Sequence, residues 1–354
     1  MSFLGDISLN NEYENQFRLG KKPFEDVSNI LSESDFVIGN LECISRGING
    51  ENYLKRPRLN TSLSTLNYLK DINLNLALLA NNHVYDNLKS GFDRTVNFLE
   101  NNNIAYIGAG HTLKDAKKPY VKKIGDEIVA IFNYVTKDTN PNIPIDSNFY
   151  VNWFDLKEVA RDILYYSKVT DKIILCLHWG GRCEGGFYPD WPQPTIAQKL
   201  IDCGADLIIG CHSHTFQPYE RYKDKMIYYS LGNFCFSDIV FEGKVIELDR
   251  KKRTDSAIIN LEIKGNNWDY NLVPFNFDNL NLVIDYSLVK KFNSRNTRFN
   301  LFLRYKFVWS FYFFKFKYID PIMFYFFGND RNPINQIKNL NFFKFIKFIS
   351  SKAN

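Results

Sequence analysis

The sequence predicts an α/β protein whose chemistry sits at the ends of its strands, and three features predict it. Short apolar runs alternate with amphipathic, helix-like segments, the pattern of βαβ units. Each apolar run stops in a small cluster of polar, metal-competent residues. With 45% apolar and 23% charged residues over 354 positions, the chain is globular and long enough to bury a sizeable core.

The predicted strands are Ser2–Leu4, Phe36–Ile38, Ala77–Leu79, Ile128–Asn133, Ile173–Leu177, Leu207–Ile209 and Met226–Ser230. Helices are expected near 24–33, 62–71, 89–101, 155–168 and 194–203. The last begins at Pro194, whose fixed φ suits a first helical position, and stops at Gly204, a natural C-terminal cap.

After the strands come Gly5-Asp6, then Asn40 and Glu42, then Asn81-Asn82-His83, then His178, then His212 and His214, then Asn233. Open α/β sheets bind ligands outside the carboxyl ends of their strands. A lone histidine in such a place is more often structural than ligating. Four of the chain's five histidines lie there, with Asp6, Glu42 and Asn82 in equivalent positions, and together they point to a metal site. Neutral imidazole and carboxylate suit Mn, Fe or Zn, and one carboxylate can bridge two cations about 3.5–4 Å apart. His111, in "GAGHTLKDA", reads as a loop residue.

The net charge of +5 is unevenly spread: residues 290–354 carry thirteen Lys/Arg against Asp320 and Asp330, leaving −6 for residues 1–289. A division into a domain at 1–289 and a basic, aromatic-rich segment at 290–354 is therefore expected. Within 299–327 no run of ~18 uncharged residues exists, so a bilayer-spanning helix is not expected. Three readings of this segment stand: an interfacial segment on an anionic membrane via residues 299–354, aromatic packing on the body, or base stacking. No nucleic-acid motif is present, and nucleic acid is not an expected partner. A second basic aromatic stretch, "NFFKFIKFISSK", follows at 341–352.

Six scattered cysteines without C-x-x-C pairs read as reduced thiols, and "MSFLGDISLNNEYE" lacks a basic n-region and a long apolar run. A cytoplasmic protein without a leader, peripheral to the inner membrane if its tail docks there, is the expectation.

The motifs "GDISL", "DFVIGNLE", "LALLANNHVYD", "ILCLHWG", "LIDCGADLIIGCHSHTFQPYE" and "IYYSLGNFCF" resemble, in this order, the CapA family of capsule and poly-γ-glutamate synthesis proteins, over about residues 3–240. That family is similar to the calcineurin-like metallophosphoesterases. The resemblance implies a metallophosphoesterase-like four-layer αββα sandwich, followed by a mainly helical, basic aromatic appendage. It implies two divalent metal ions, one held by Asp6 and His214, the other by Asn82, His178 and His212, with Glu42 bridging. His83 is then a general acid or charge stabiliser oriented by Asp86. Residues one apart in extended backbone return to the same side, which predicts that His212 and His214 reach neighbouring cations.

Two departures stand out. Where the wider pattern begins Asp-x-His, this chain has Asp6-Ile7-Ser8, so one imidazole is missing; and "HWGGRCEGG" displaces Glu184 from the position relatives use. Arg182 and Arg56 each read either as an anion contact for substrate or as a solvated loop residue. Asn233 follows Gly232 and reads as a turn residue, a substrate donor or a ligand orienter.

The functional expectation is a metal-dependent hydrolase using metal-activated water on a phosphoester or amide in capsule or surface-polymer synthesis. A polymer intermediate or phosphorylated small molecule is the expected substrate. The competing expectation is a membrane-associated assembly or polymer-binding protein with a weakened metal site. No P-loop is present, which argues against a stand-alone ATP-driven ligase.

Overall fold

The computed structural model describes residues 1–338 other than Asp146, Gly265, Asn266 and Asp330. The stretch at 341–352 lies outside the described residues. Two sheets form the centre. The first has eight strands: Asn281–Ile284, Asn267–Asp278, Ser256–Lys264, Ser2–Ile7, Val37–Leu41, Leu74–Leu78 and Ala105–Ile107 in spatial order, with Asn233–Cys235 also pairing on Ser2–Ile7. The second has six, in the order Tyr219–Tyr222, Lys225–Tyr228, Leu207–Cys211, Lys172–His178, Glu127–Val135 and Tyr120–Ile124.

Alternation along each strand sorts side chains into three apolar layers. Between the sheets, Phe3, Ile38 and Leu76 of the first meet Ile131, Ile174 and Ile209 of the second. Outside the first sheet, Leu4, Val37 and Ala77 pack with Val27 and Leu31 of the helix Glu25–Ser32 and Phe92 and Val96 of Leu88–Asn101. Outside the second, Leu175 and Ile208 pack with Ile163 of Leu156–Tyr166 and Leu200 of Gln193–Asp202. The result is helix, sheet, sheet, helix, the expected four-layer sandwich. Each fully buried Ile, Leu or Phe in these layers contributes about 1.5–3 kcal/mol.

Six strands carry the site: β1 (Ser2–Ile7), β2 (Val37–Leu41), β3 (Leu74–Leu78), β4 (Lys172–His178), β5 (Leu207–Cys211) and β6 (Asn233–Cys235). β1 pairs in parallel with β2 and with β6, and β2 with β3; β4 and β5 pair in parallel in the other sheet. Strands buried on both faces read as continuous apolar runs, which is why the sequence reveals them. Their ends run further than expected, so Asp6, Asn40 and His178 lie inside strands rather than after them. Close contact holds β1 in place: the Asp6 amide donates to the Gly232 carbonyl at 2.9 Å, and a Cβ on Gly5 would fall 1.9 Å from that oxygen.

The antiparallel run Ser256–Lys264, Asn267–Asp278 and Asn281–Ile284 was not among the predicted strands. Asn, Asp and Lys interrupt its apolar alternation, so it carries a weak signal. The segment near 62–71 is a 3₁₀ turn, Ser64–Asn67, followed by a short helix, Tyr68–Asp71.

The C-terminal appendage is helical through Leu288–Arg304, Lys306–Phe314, a π turn at Lys315–Ile319, Asp320–Phe327 and Pro333–Lys338. A division at 289/290 falls inside the first of these helices, which sends Leu288 and Phe292 into the layer between the sheets and Phe299 and Phe302 onto the outer layer. Its buried Arg295 donates to the Phe216 carbonyl at 2.9 Å and faces Asp255 at 3.6 Å. Trp309 stacks on Trp191 with ring centroids 5.3 Å apart. Among the described residues, no helix is long and apolar enough to cross a membrane.

Candidate metal centre

The two sheets bring their strand ends together, and the predicted ligands meet there. Asp6 comes from β1, Glu42 directly follows β2, Asn82 and His83 lie in the turn after β3, His178 ends β4, and His212 and His214 occupy the turn after β5. The sheets are joined across this site: the His212 amide donates to both oxygens of Asp6, at 3.1 and 3.4 Å.

Glu42 is the hub. Its Oε1 lies 3.8 Å from His83 Nε2 and 3.9 Å from both His178 Nε2 and His214 Nε2. The residue is fully buried, yet among the described residues neither carboxyl oxygen has a hydrogen-bond partner. Leaving such a group unpaired costs about 1–3 kcal/mol, and more when it is charged. Two sets of donors share it: Glu42, His178 and His212 on one side, Asp6, Glu42 and His214 on the other, with the donor atoms of each set within 4.8 Å of one another. The donor chemistry and the orphaned carboxyl oxygens fit divalent cations.

Burial dominates the electrostatics. It pushes the His212 imidazole down to about 4 and that of His214 to about 3, lowers His83, and lowers His178 still further with help from the neighbouring histidines. The close approaches to carboxylates are therefore contacts of neutral rings, not ion pairs. Burial raises the carboxyls: Asp6 to about 7, against the pull of the Asn40 and His212 donors, and Glu42 well above its usual range, reinforced by Asp6.

The rings are held from behind, as ligating histidines require. His214 Nδ1 lies 2.9 Å from Asn233 Oδ1, while Asn233 Nδ2 donates to the Arg253 carbonyl at 3.1 Å. Both ends of the Asn233 amide are thus occupied, and the residue orients His214. His178 Nε2 faces Asn82 Oδ1 at 2.9 Å and His212 Nδ1 at 3.0 Å. Asn40, which the sequence offered only as a strand-end polar residue, donates to Asp6 at 2.8 Å and reaches His178 Nδ1 at 3.3 Å. Asn81 and Asn133 pin the turn after β3: Asn81 donates to the Leu41 carbonyl at 2.9 Å, and Asn133 accepts from the Ala80 amide at 2.7 Å.

The extended geometry expected of His212-Ser213-His214 is not found. His212 has φ 96° and His214 φ 58°, both positive, so the chain turns here. Non-glycine residues in such conformations carry strain of about 1–3 kcal/mol and cluster at functional sites. The turn, rather than strand alternation, presents both imidazoles to the site.

His83 Nδ1 lies 2.6 Å from Asp86 Oδ2, which also accepts the Leu59 amide at 2.6 Å. The ring is thereby fixed with Nε2 directed at the Glu42 side. Ser8, in place of the missing imidazole, is buried and donates to Asn10 at 2.8 Å.

Among the residues predicted to meet substrate, Arg56 is 70% exposed and pairs with Glu242 at 3.6 Å. Arg182 is 63% exposed beside Asp190, and Glu184 accepts from Arg253 at 3.2 Å. Sequence reasoning missed Lys55. Buried beside the exposed Arg56, it donates to the Asn140 carbonyl at 2.8 Å, and its charge acts on His83, Glu42 and Asp86. The motif "LKRPRL" held the signal, but which of its cations turns inward is a property of the fold.

Residues 1–238 match the family model described as bacterial capsule synthesis protein PGA_cap. The PGA biosynthesis protein CapA of Bacillus subtilis (strain 168) is 28% identical over 278 residues, covering 75% of this chain and 68% of the relative. The capsule biosynthesis protein CapA of Bacillus anthracis is 26% identical over 281 residues, covering 75% of this chain and 64% of the relative, so the chain spans about two thirds of both. Among solved structures, a hypothetical protein from Thermus thermophilus aligns at TM-score 0.47 and 13% identity, over 78% of this chain and 99% of that one.

Proposed function

Because the chain belongs to the bacterial capsule synthesis protein family PGA_cap, we propose that it serves surface-polymer synthesis as a metal-dependent hydrolase cleaving a phosphoester or amide. The observation that carries this is Glu42: a fully buried carboxyl with both oxygens unpartnered, shared by two donor sets. Asp6, Glu42 and His214 would hold one cation, and Glu42, Asn82, His178 and His212 the other. Such cations polarise a phosphoryl or acyl oxygen and supply hydroxide near neutral pH.

The chain's own groups do the rest. Asn40 and the His212 amide aim the Asp6 carboxylate, and Asn233 aims His214. Asp86 holds His83 Nδ1, so Nε2 of the neutral ring is the atom left to take up a proton and pass it to a leaving group. Lys55 adds positive charge that favours an anionic substrate. The names of the two Bacillus relatives, for PGA and capsule biosynthesis, support a polymer intermediate as substrate class.

The test is purified protein loaded with Mn²⁺, Zn²⁺ or Fe²⁺ and offered aryl phosphate monoesters, diesters and γ-glutamyl oligomers. Hydrolysis of one class is expected, falling about 10²-fold or more in His83→Ala with metal content unchanged. Full metal occupancy with no hydrolysis of any class overturns it. A second reading, a polymer-binding or assembly protein with a weakened centre, then takes over; Ser8 turned to Asn10 is the observation that favours it.

A further inference from the structure

The appendage helix Lys306–Phe314 and the π turn after it are apolar on two opposite faces. Inward, Trp309 is 3% exposed, and Tyr312 and Phe316 also lie on this side. Outward, Phe307, Phe311, Phe314 and Tyr318 follow one another at helical spacing and are 74, 68, 54 and 51% exposed. A helix that is apolar all round normally has an apolar environment on every side. Here water meets a row of four aromatic rings, which a monomeric soluble surface rarely tolerates without a use.

We propose that this row docks on an anionic lipid bilayer, lying in its interface without crossing it. Charge complementarity selects the occupant. Lys306 and Lys317 lie to one side of the row and Lys315, whose Nζ also pairs with Asp320, to the other. The segment 290–354 carries +11 while residues 1–289 carry −6, so the net attraction to a negative surface comes from this segment. Aromatic rings settle at headgroup depth and flanking lysines reach the phosphates, the arrangement of an interfacial helix. Among the described residues no helix can span the bilayer, consistent with lying on it.

Docking there brings the metal centre to the membrane. The Phe187 amide donates to the Tyr312 hydroxyl at 3.0 Å on the inward face. Two residues earlier in the same loop, the Gly185 amide donates at 2.7 Å to the carbonyl of Ser213, which stands between His212 and His214. One short loop therefore fastens the lipid-facing helix to the ligand turn. This inference stands independently of which bond the centre cleaves.

The experiment is co-sedimentation of the full chain with phosphatidylcholine vesicles and with vesicles containing phosphatidylglycerol. Binding to the anionic vesicles is expected, about tenfold or more weaker without phosphatidylglycerol and weakened by salt. Phe311→Glu/Phe314→Glu should weaken it by about tenfold or more with an unchanged thermal midpoint, and Phe307→Ser should weaken it less. Equal binding by the double variant overturns the proposal, as does failure to bind either vesicle. So does a wild-type dimer that the double variant dissociates while vesicle binding persists. Loss of binding in Lys344→Glu/Lys347→Glu, with the aromatic variants unaffected, would move the contact to the chain's last residues and overturn it too.

Discussion

His178 Nε2 and His212 Nδ1 face each other at 3.0 Å, one from the end of β4 and the other from the turn after β5. Burial keeps both rings neutral, so each retains one lone-pair nitrogen, and the two rings converge beside Glu42, whose oxygens accept no hydrogen bond among the described residues. Both residues would help hold a cation there. His212→Ala should therefore lower the bound metal by about one equivalent and leave the cation at Asp6 and His214 in place. Elemental analysis after Mn²⁺ loading and desalting reads this directly, and unchanged stoichiometry would contradict it.

The raised carboxyl of Asp6 gives a signed pH dependence. With a folded value of about 7 against an ordinary 3.8, Asp6 favours the metal-free fold at low pH, and that contribution is lost as pH rises through about 7. A cation needs the ionised form, so protons compete with it below about pH 7. The thermal stabilisation by Mn²⁺ should accordingly be larger at about pH 7.5 than at about pH 5.5. The histidines at about 4 and about 3 do not compete in that interval.

Asn233 should matter through His214. Asn233→Leu removes the acceptor 2.9 Å behind the ring and should weaken one metal by about 10–100-fold, the usual effect of losing such support. Asn233→Asp restores an acceptor and should recover much of that affinity. Metal titration of the two variants compares them, and equal behaviour would argue that Asn233 only shapes the turn.

Asp86→Asn tests the positioning of His83. The contact at 2.6 Å loses its carboxylate, so activity should fall by about 10²-fold or more while metal content holds. A kcat that falls with KM unchanged identifies a role in chemistry; a fall in metal content would instead place His83 among the ligands.

Lys55 and Arg56 make a paired prediction. Lys55→Met should raise KM for an anionic substrate, because its buried charge acts on the site; Arg56→Ala should change neither KM nor kcat, since Arg56 is 70% exposed. Steady-state kinetics on the two proteins decides.

Much of this centre was legible because parallel strands announce themselves as apolar runs and their ends carry the chemistry. Asp6, Glu42, Asn82, His178, His212 and His214 could all be picked from the sequence on that basis, and the fold gathers them. The roles of Asn40, offered only as a strand-end polar residue, and of Asn133 were not legible, because hydrogen bonds between strands far apart in sequence leave no local pattern. The positive φ of His212 and His214 was hidden too: histidine has no glycine-like preference for it, and the surrounding structure imposes it. Lys55 and Arg56 are adjacent cations that the fold sends in different directions.

The stacked rings of Trp191 and Trp309 straddle the seam between body and appendage, 5.3 Å apart and inclined by 24°. Two indoles so close couple their electronic transitions, which gives the protein an optical gauge of its own. A change in how the appendage seats should register as an altered exciton signal in circular dichroism, with no label attached.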